Sequence, residues 1–408
     1  MAKKILFIVS SFLPNTTANG VCVYNLAREY IQQGLQVYCI TSQAAGQKTY
    51  EMIDGIHIYR IKEAWFGRFQ AKSMSRGTAS KLCYKLVHVL RNICLIPLYP
   101  NVSPIRSRQV YRTALKLVET ENIDTVVGSF RPYESVYTVL KLKRKFADQV
   151  TCISYYLDVL LQNRTMHLGS AYYRWRSIRA QRKDIRTLDR VLIPLANRNE
   201  FESIYGKHDN VRFLDFPMYV RKTENAKMDL PFRSGTLNLA YVGTLNLQDR
   251  NPSRLLELLA AVQSYVPNVR LHIWGNAEEV KEIIEHYNSI AQYHGYVSSE
   301  CVPYILQGAD WVINISNKKN SNMIPSKKFQ LFASGKPILN YVFNRQDASL
   351  RYFERYANTY YVYDNQVNHQ LAVAELVDAF QKKWPLVNAD EVFRENTPEI
   401  VAEKIINV

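Results

Sequence analysis

The sequence predicts an α/β protein of two doubly wound domains. Three observations carry that expectation. Short apolar runs alternate with helical segments in both halves. A stretch with little periodicity and two prolines, Asp215 to Gly235, separates the halves. The 408 residues suffice for two cores. The expected domains are 1–214 and 236–390.

Lys4-Ile-Leu-Phe-Ile-Val-Ser10 reads as a strand buried on both faces of a parallel sheet. A loop from Ser11 to Gly20 follows, then a helix from about Val21 to Gln33 that Gly34 ends, then the strand Gln36–Thr41. The glycine stands in the turn before the helix, where backbone can approach a ligand closely. This is not the GxGxxG fingerprint, so nothing here points to a dinucleotide. Residues 63–116 interrupt the alternation. Trp65, Phe66 and Phe69 lead into Ala79–Tyr99, a helix whose polar side carries Lys81, Lys85 and Arg91. Such a segment lies at a membrane surface or packs on a core with a solvated basic face. Alternation resumes with the strands 124–128, 150–155 and 189–194. Between the last two, Tyr172–Arg186 is a second basic helix with aromatics at its start. Two such segments in one half favour a peripheral membrane contact.

The second half restarts with the strand Leu237–Gly243, a loop with Asp249 and Arg250, and a helix from Pro252 to about Tyr265. Then come Val269–Gly275, a helix near Glu278–Asn288, a short run Gln292–Val297, a helix near Ser299–Gln307 and the strand Trp311–Ile315. The segment Asn320–Leu339 reads as loop, short helix and strand, and a helix from about Pro398 to Val408 closes the chain.

The net charge is +16, unevenly placed: between Lys62 and Lys116 the only acid is Glu63. Such a field favours anionic partners, namely nucleic acid, anionic lipid or a phosphorylated substrate. No nucleic-acid recognition motif accompanies it, and nucleic acid is not expected. The six cysteines are scattered, with no CxxC and no Cys/His cluster, which suits a reducing cytosol better than a disulfide framework or a zinc site. Met1-Ala-Lys-Lys runs straight into a strand, and no apolar run approaches the ~20 residues of a membrane span, so a cytoplasmic chain is expected.

In the segment 320–339, Ser326, Lys327, Gln330, Ala333 and Ser334 share one helical face, while Phe329 and Phe332 point toward a core. A helix opening on Ser326-Lys327 offers N–H groups and a cation to an anion. An ordinary amphipathic helix before a buried strand is the plainer reading. Ile324-Pro-Ser-Lys-x-Phe-x-x-x-Ala-Ser-Gly-Lys-Pro-Ile-Leu339 resembles the nucleotide-sugar motif of the GT-B glycosyltransferases, family 4 in particular.

The resemblance implies two Rossmann-like domains with a cleft between them. It implies transfer of a sugar, with retention, from a UDP- or GDP-linked donor to a glycan or lipid-linked acceptor. The setting would be bacterial surface-polysaccharide or glycoconjugate synthesis at the inner membrane face, with no cofactor and no metal. Asn19-Gly20 stand where the family packs a loop against the diphosphate and acceptor, or form a plain βα turn. Lys327, Ser326 and Arg250 would meet the diphosphate, although the family's Gly-Arg-Leu reads Gly243-Thr-Leu here. Gly275 and His294-Gly-Tyr296-Val297 match where backbone is presented to the nucleobase. The family's two glutamates, eight residues apart, fall at Asn322 and Gln330, and glutamine loses the charge-assisted grip on the ribose. Asp158, after the strand ending at Tyr155, is the candidate to contact the acceptor hydroxyl as base, or else a turn residue. Arg131, Glu134 and His167 are further candidates near it. The closing helix is expected to pack back on the first domain. Asn322 and Gln330 also motivate a second reading, a non-catalytic GT-B scaffold that partners an active transferase.

Overall fold

The computed structural model describes residues 3–14, 17–62, 78–158, 160, 170–220, 228–298, 300–319, 327–365 and 369–406. The chain divides into two compact units, Met1–Met218 with Glu395–Val408, and Tyr219–Arg394. The first therefore runs four residues past the expected limit and includes the closing helix.

Among the described residues the first unit holds an eight-stranded sheet. Its strands are β1 (Lys4–Ile8), β2 (Gln36–Ser42), β3 (Tyr50–Ile53), β4 (Ile56–Ile61), β5 (Thr125–Phe130), β6 (Thr151–Tyr156), β7 (Arg190–Pro194) and β8 (Val211–Leu214). They run in the order β3-β4-β2-β1-β5-β6-β7-β8, with only β3 antiparallel to its neighbour. Ile5, Leu6, Phe7 and Ile8 of β1 are all buried, because helices cover both faces of a parallel sheet. The helix Ala18–Gln32 buries Gly20, Val23, Ala27 and Tyr30, a stripe at helical spacing, and the left-handed Gly34 terminates it. Tyr30 Oη donates to the Ala402 carbonyl at 3.0 Å, holding the helix Pro398–Ile406 within this unit.

Three elements differ from expectation. The helix begins at Ala18, with Thr17 extended before it, so Asn19 and Gly20 lie in its first turn and not in the preceding loop. The β3–β4 hairpin is an addition to the expected strands, and Asp54-Gly55 makes its turn: both residues have positive φ, as a two-residue turn between twisted strands requires. The helix expected over Ala79–Tyr99 is Thr78–Leu95, followed by a 3-10 turn at Ile96–Leu98 where Pro97 removes a donor. Trp65, Phe66 and Phe69 lie outside the described residues.

The second unit has six strands among the described residues: β9 (Leu237–Val242), β10 (Val269–Trp274), β11 (Ala291–Tyr293), β12 (Trp311–Ile315), β13 (Ile338–Val342) and β14 (Thr359–Tyr363). The order is β11-β10-β9-β12-β13-β14, all parallel. Its core gathers Leu239, Tyr241, Leu271, Ile273, Ile313 and Leu339 from the strands, with Leu255, Leu259 and Leu376 from helices.

In both sheets the winding reverses once, between β1 and β5 in the first and between β9 and β12 in the second. The chain leaves adjacent strands in opposite directions there and opens a crevice at their carboxyl ends, where such sheets take ligands. Every candidate residue described below belongs to one of those two edges.

Candidate functional site

In the first unit Asn19 is the connecting residue. Its side-chain amide donates to the Phe130 carbonyl at 3.2 Å, at the end of β5, and to Asp158 Oδ2 at 3.3 Å, two residues past β6. The turn of helix after β1 thus meets β5 and β6 at the reversal point, with the half-buried Asp158 carboxylate at its centre. Gly20 is buried in the same helical turn. Glu134 is buried at the start of the helix after β5, and burial raises its carboxyl above the ordinary value despite Arg106 and Arg91 nearby. His167 lies outside the described residues.

In the second unit the site is built from backbone. Gly243 follows β9 and Gly275 follows β10, and Gly243 N–H donates to the Trp274 carbonyl at 2.9 Å. Gly275 has φ +115°, and a Cβ there would stand 2.1 Å from the Gly243 carbonyl oxygen. Gly275 N–H in turn donates to the Gly295 carbonyl at 2.8 Å, which brings the chain of Tyr296 and Val297 beside the two glycines. Tyr293 Oη caps the Gly275 carbonyl at 2.8 Å. Tyr296 is 86% exposed. Beneath this edge His272 Nδ1 and His294 Nε2 lie 3.0 Å apart, and His294 stacks on Trp274 at 4.6 Å between ring centres. Burial holds both imidazoles below the ordinary value, His272 at about 4, so the pair is neutral near pH 7.

Arg250 is brought to this edge by a folded loop. Asn246 Oδ1 accepts the Asp249 and Arg250 amides at 2.7 and 3.3 Å, and Arg250 Nε donates to Asn317 Oδ1 at 2.7 Å. Asn317 follows β12, so the guanidinium spans the reversal point between β9 and β12. Asn246 and Asn317 were not anticipated, because isolated asparagines after strands carry no periodic signal.

The helix that opens the nucleotide-sugar-like motif is Lys327–Ala333. Phe329 and Phe332 are buried as expected. One residue departs from its expected face, and one that was given no face is buried. Ser334 is buried and donates to the Leu331 carbonyl at 2.5 Å. Lys328 is buried too: its ammonium donates to Ser349 Oγ and lies 3.7 Å from Asp347 Oδ1. Burial pulls it down to about 8, against the pull of Asp347 and with that of the Arg250 charge. Lys328 thus pins the helix to the turn after β13. Gln330 is half-buried on the same helix. Asn322 and Ser326, and the side chain of Lys327, lie outside the described residues.

The structure thus joins Asn19, Gly20 and Asp158 at one edge, and Gly243, Gly275, Tyr296, Val297 and Arg250 at the other. Among the described residues no group of three His, Cys, Asp or Glu is placed to hold a metal ion, and no helix is long and apolar enough to cross a membrane.

The sequence matches no protein-family model and no curated protein. Solved structures resemble it over nearly its whole length. HepE of Anabaena, in complex with UDP and glucose, is 13% identical, with a TM-score of 0.54 over 98% of this chain and 95% of that one. A glycosyltransferase of Rickettsia africae is 11% identical, with a TM-score of 0.57 over 99% and 97%. WaaG, a glycosyltransferase involved in lipopolysaccharide biosynthesis, is 11% identical, with a TM-score of 0.52 over 99% and 100%. The two mostly parallel sheets, each reversing once, are the GT-B fold of two Rossmann-like units that these glycosyltransferases share.

Proposed function

We propose that this chain is a glycosyltransferase of family 4 character, moving a sugar with retention from a UDP- or GDP-linked donor to a glycan or lipid-linked acceptor. The observation that carries the reading is the abutting pair Gly243 and Gly275 with Arg250 beside it, at the reversal point of the second sheet. Bare backbone there suits a nucleoside, and a cation suits its diphosphate. HepE, a structure of the same fold, holds UDP and glucose.

In the transfer, the bond from the anomeric carbon to the diphosphate breaks and its electron pair leaves with the nucleoside diphosphate. The acceptor oxygen forms the new bond on the same face of the sugar. Arg250, together with Lys327 and Ser326 as the family resemblance assigns them, offsets the charge that builds on the leaving group, without a metal. Asn19 orients Asp158, which receives the acceptor hydroxyl and takes its proton; the donor phosphate is the other available base. The setting is a bacterial surface-polysaccharide or glycoconjugate pathway, in the cytoplasm and on the inner face of an anionic membrane.

The test is thermal stabilisation by UDP, GDP, ADP and their common sugars, for the wild type and for Arg250→Ala and Lys327→Ala. One nucleotide is expected to stabilise the wild type and lose its effect in both variants, and chelation with EDTA to leave that stabilisation unchanged. No shift at millimolar nucleotide rejects the reading. Gln330 favours a second one, a non-catalytic partner of an active transferase. It predicts weak nucleotide binding without turnover and association with a second protein.

A further inference from the structure

The helix Thr78–Leu95 is inside out. Leu82, Leu86, Val89, Leu90 and Ile93 recur at helical spacing on one face, and each is between 48% and 63% exposed. On the other side the half-buried Arg91 donates from Nη2 to the Val102 carbonyl at 3.0 Å, and His88 and Asn92, also half-buried, lie 3.2 Å apart along the helix. A water-soluble surface reverses this arrangement.

The apolar face continues. Leu98 and Ile105 are about half exposed, and so is Trp175 on the helix Ser170–Thr187. That helix is tied on by Tyr172 Oη to the Ile96 carbonyl at 3.2 Å, and by Arg176 to the carbonyls of Tyr99 and Pro97 at 2.9 and 2.6 Å. The helices Pro104–Glu121 and Ser170–Thr187 both start at the carboxyl edge of the sheet, because each connects parallel strands. Glu134, at that edge, feels the charge of Arg91. The patch therefore borders the end of the unit that carries Asp158.

Its rim is cationic. Lys81 and Lys85 flank the leucine face, and Arg176 and Arg179 place guanidinium carbons 6.0 and 5.7 Å from the Trp175 ring centre. The helix Thr78–Leu95 contains no acidic residue. Leucines flanked by cations, with a tryptophan at the border, match an apolar layer overlaid by phosphates. A protein partner on this face would have to present acidic side chains around an apolar centre.

We propose that the outer face of Thr78–Leu95, continued by Leu98, Ile105 and Trp175, embeds in the headgroup region of an anionic bilayer. The inference deepens the membrane half of the function proposed above and does not depend on glycosyl transfer. It presents the carboxyl edge with Asp158 to acceptors anchored in the same leaflet.

The experiment is co-sedimentation of the full chain with vesicles of phosphatidylcholine alone and with phosphatidylglycerol added. The wild type is expected to bind the anionic vesicles, and added salt to weaken that binding. Leu86→Glu with Leu90→Glu lowers partitioning at least tenfold, and Lys81→Glu with Lys85→Glu lowers it several-fold. Leu86→Trp, read by fluorescence, shifts to the blue on anionic vesicles. The thermal unfolding midpoint and far-ultraviolet circular dichroism of the same variants, measured without ligand, stay at the wild-type level, which shows them folded. A wild type that fails to bind vesicles overturns the membrane reading as a whole. Binding that survives both double substitutions overturns this surface alone. A wild type that self-associates, dissociates on Leu86→Glu with Leu90→Glu, and ignores vesicles overturns the proposal in favour of a second copy.

Discussion

At Gly275 the backbone sits at φ +115°, and the nearest atom to an added Cβ is a carbonyl oxygen at 2.1 Å that belongs to the main chain and cannot swing away. Gly275→Ala is expected to cost about 2–3 kcal/mol of stability from the backbone conformation alone, and to abolish nucleotide stabilisation, measured by thermal unfolding with and without nucleotide. Arg250 makes a different case. Its Nε donates to Asn317 while the guanidinium carries further donor nitrogens; lysine has a methylene at the Nε position and a single nitrogen that cannot serve both ends. Arg250→Lys should therefore weaken nucleotide binding nearly as much as Arg250→Ala, and calorimetric titration of the two variants checks it. Of these, Gly275 was legible in the sequence as a strand-end glycine. The Arg250–Asn317 bond was not, because 67 residues separate its partners.

The helix Lys327–Ala333 is too short to stand by its own propensity, so packing holds it. Phe329 and Phe332 supply the apolar side, and Lys328 supplies a buried ion pair with Asp347. Lys328→Ala leaves that carboxylate buried without its partner and should cost about 3–5 kcal/mol in chemical denaturation. A helical wheel identified the phenylalanines. It gave no reason to bury one lysine of an adjacent pair, since only the turn holding Asp347 and Ser349 makes that favourable. A second buried group acts between β6 and its following helix. Asp184 accepts from Tyr133 Oη at 3.0 Å and from Tyr156 Oη, and burial raises its carboxyl to about 7 from the usual 3.8. The folded chain then binds more protons than the unfolded chain between pH ~4 and ~7, so this group's contribution falls as pH rises through that window. Asp184→Asn should flatten that part of the stability–pH curve and raise stability at pH 8 relative to the wild type.

On the scale of the whole molecule, the first unit is not continuous in sequence. Glu395–Val408 returns to it after the second unit is complete, with Tyr30 bonded to Ala402 and Arg190 to the Ile405 carbonyl. Deleting 395–408 is therefore expected to expose the buried side of the helix Ala18–Gln32. Limited proteolysis of the deletion variant should cut first within residues 1–218, with 219–394 protected. The closing helix could be read from its apolar residues at Ile400, Val401, Ile405 and Ile406, but its buried side could be assigned only once the sheet order was known.

The sequence by itself determined the alternation of strands and helices, the two-sheet architecture, and most of the strand-end positions from which the candidate site is built. Apolar runs and helical stripes are local, and burial on both sides of a parallel sheet writes them directly into composition. The tertiary structure alone decided where Asn19 bonds, which lysine is buried, that Asn317 holds Arg250, and that the leucines of Thr78–Leu95 face outward. These depend on which distant segments meet at the carboxyl edges. An amphipathic helix has the same sequence pattern whichever way it is turned, and contacts made by distant segments, such as Arg91 to the Val102 carbonyl, select the orientation.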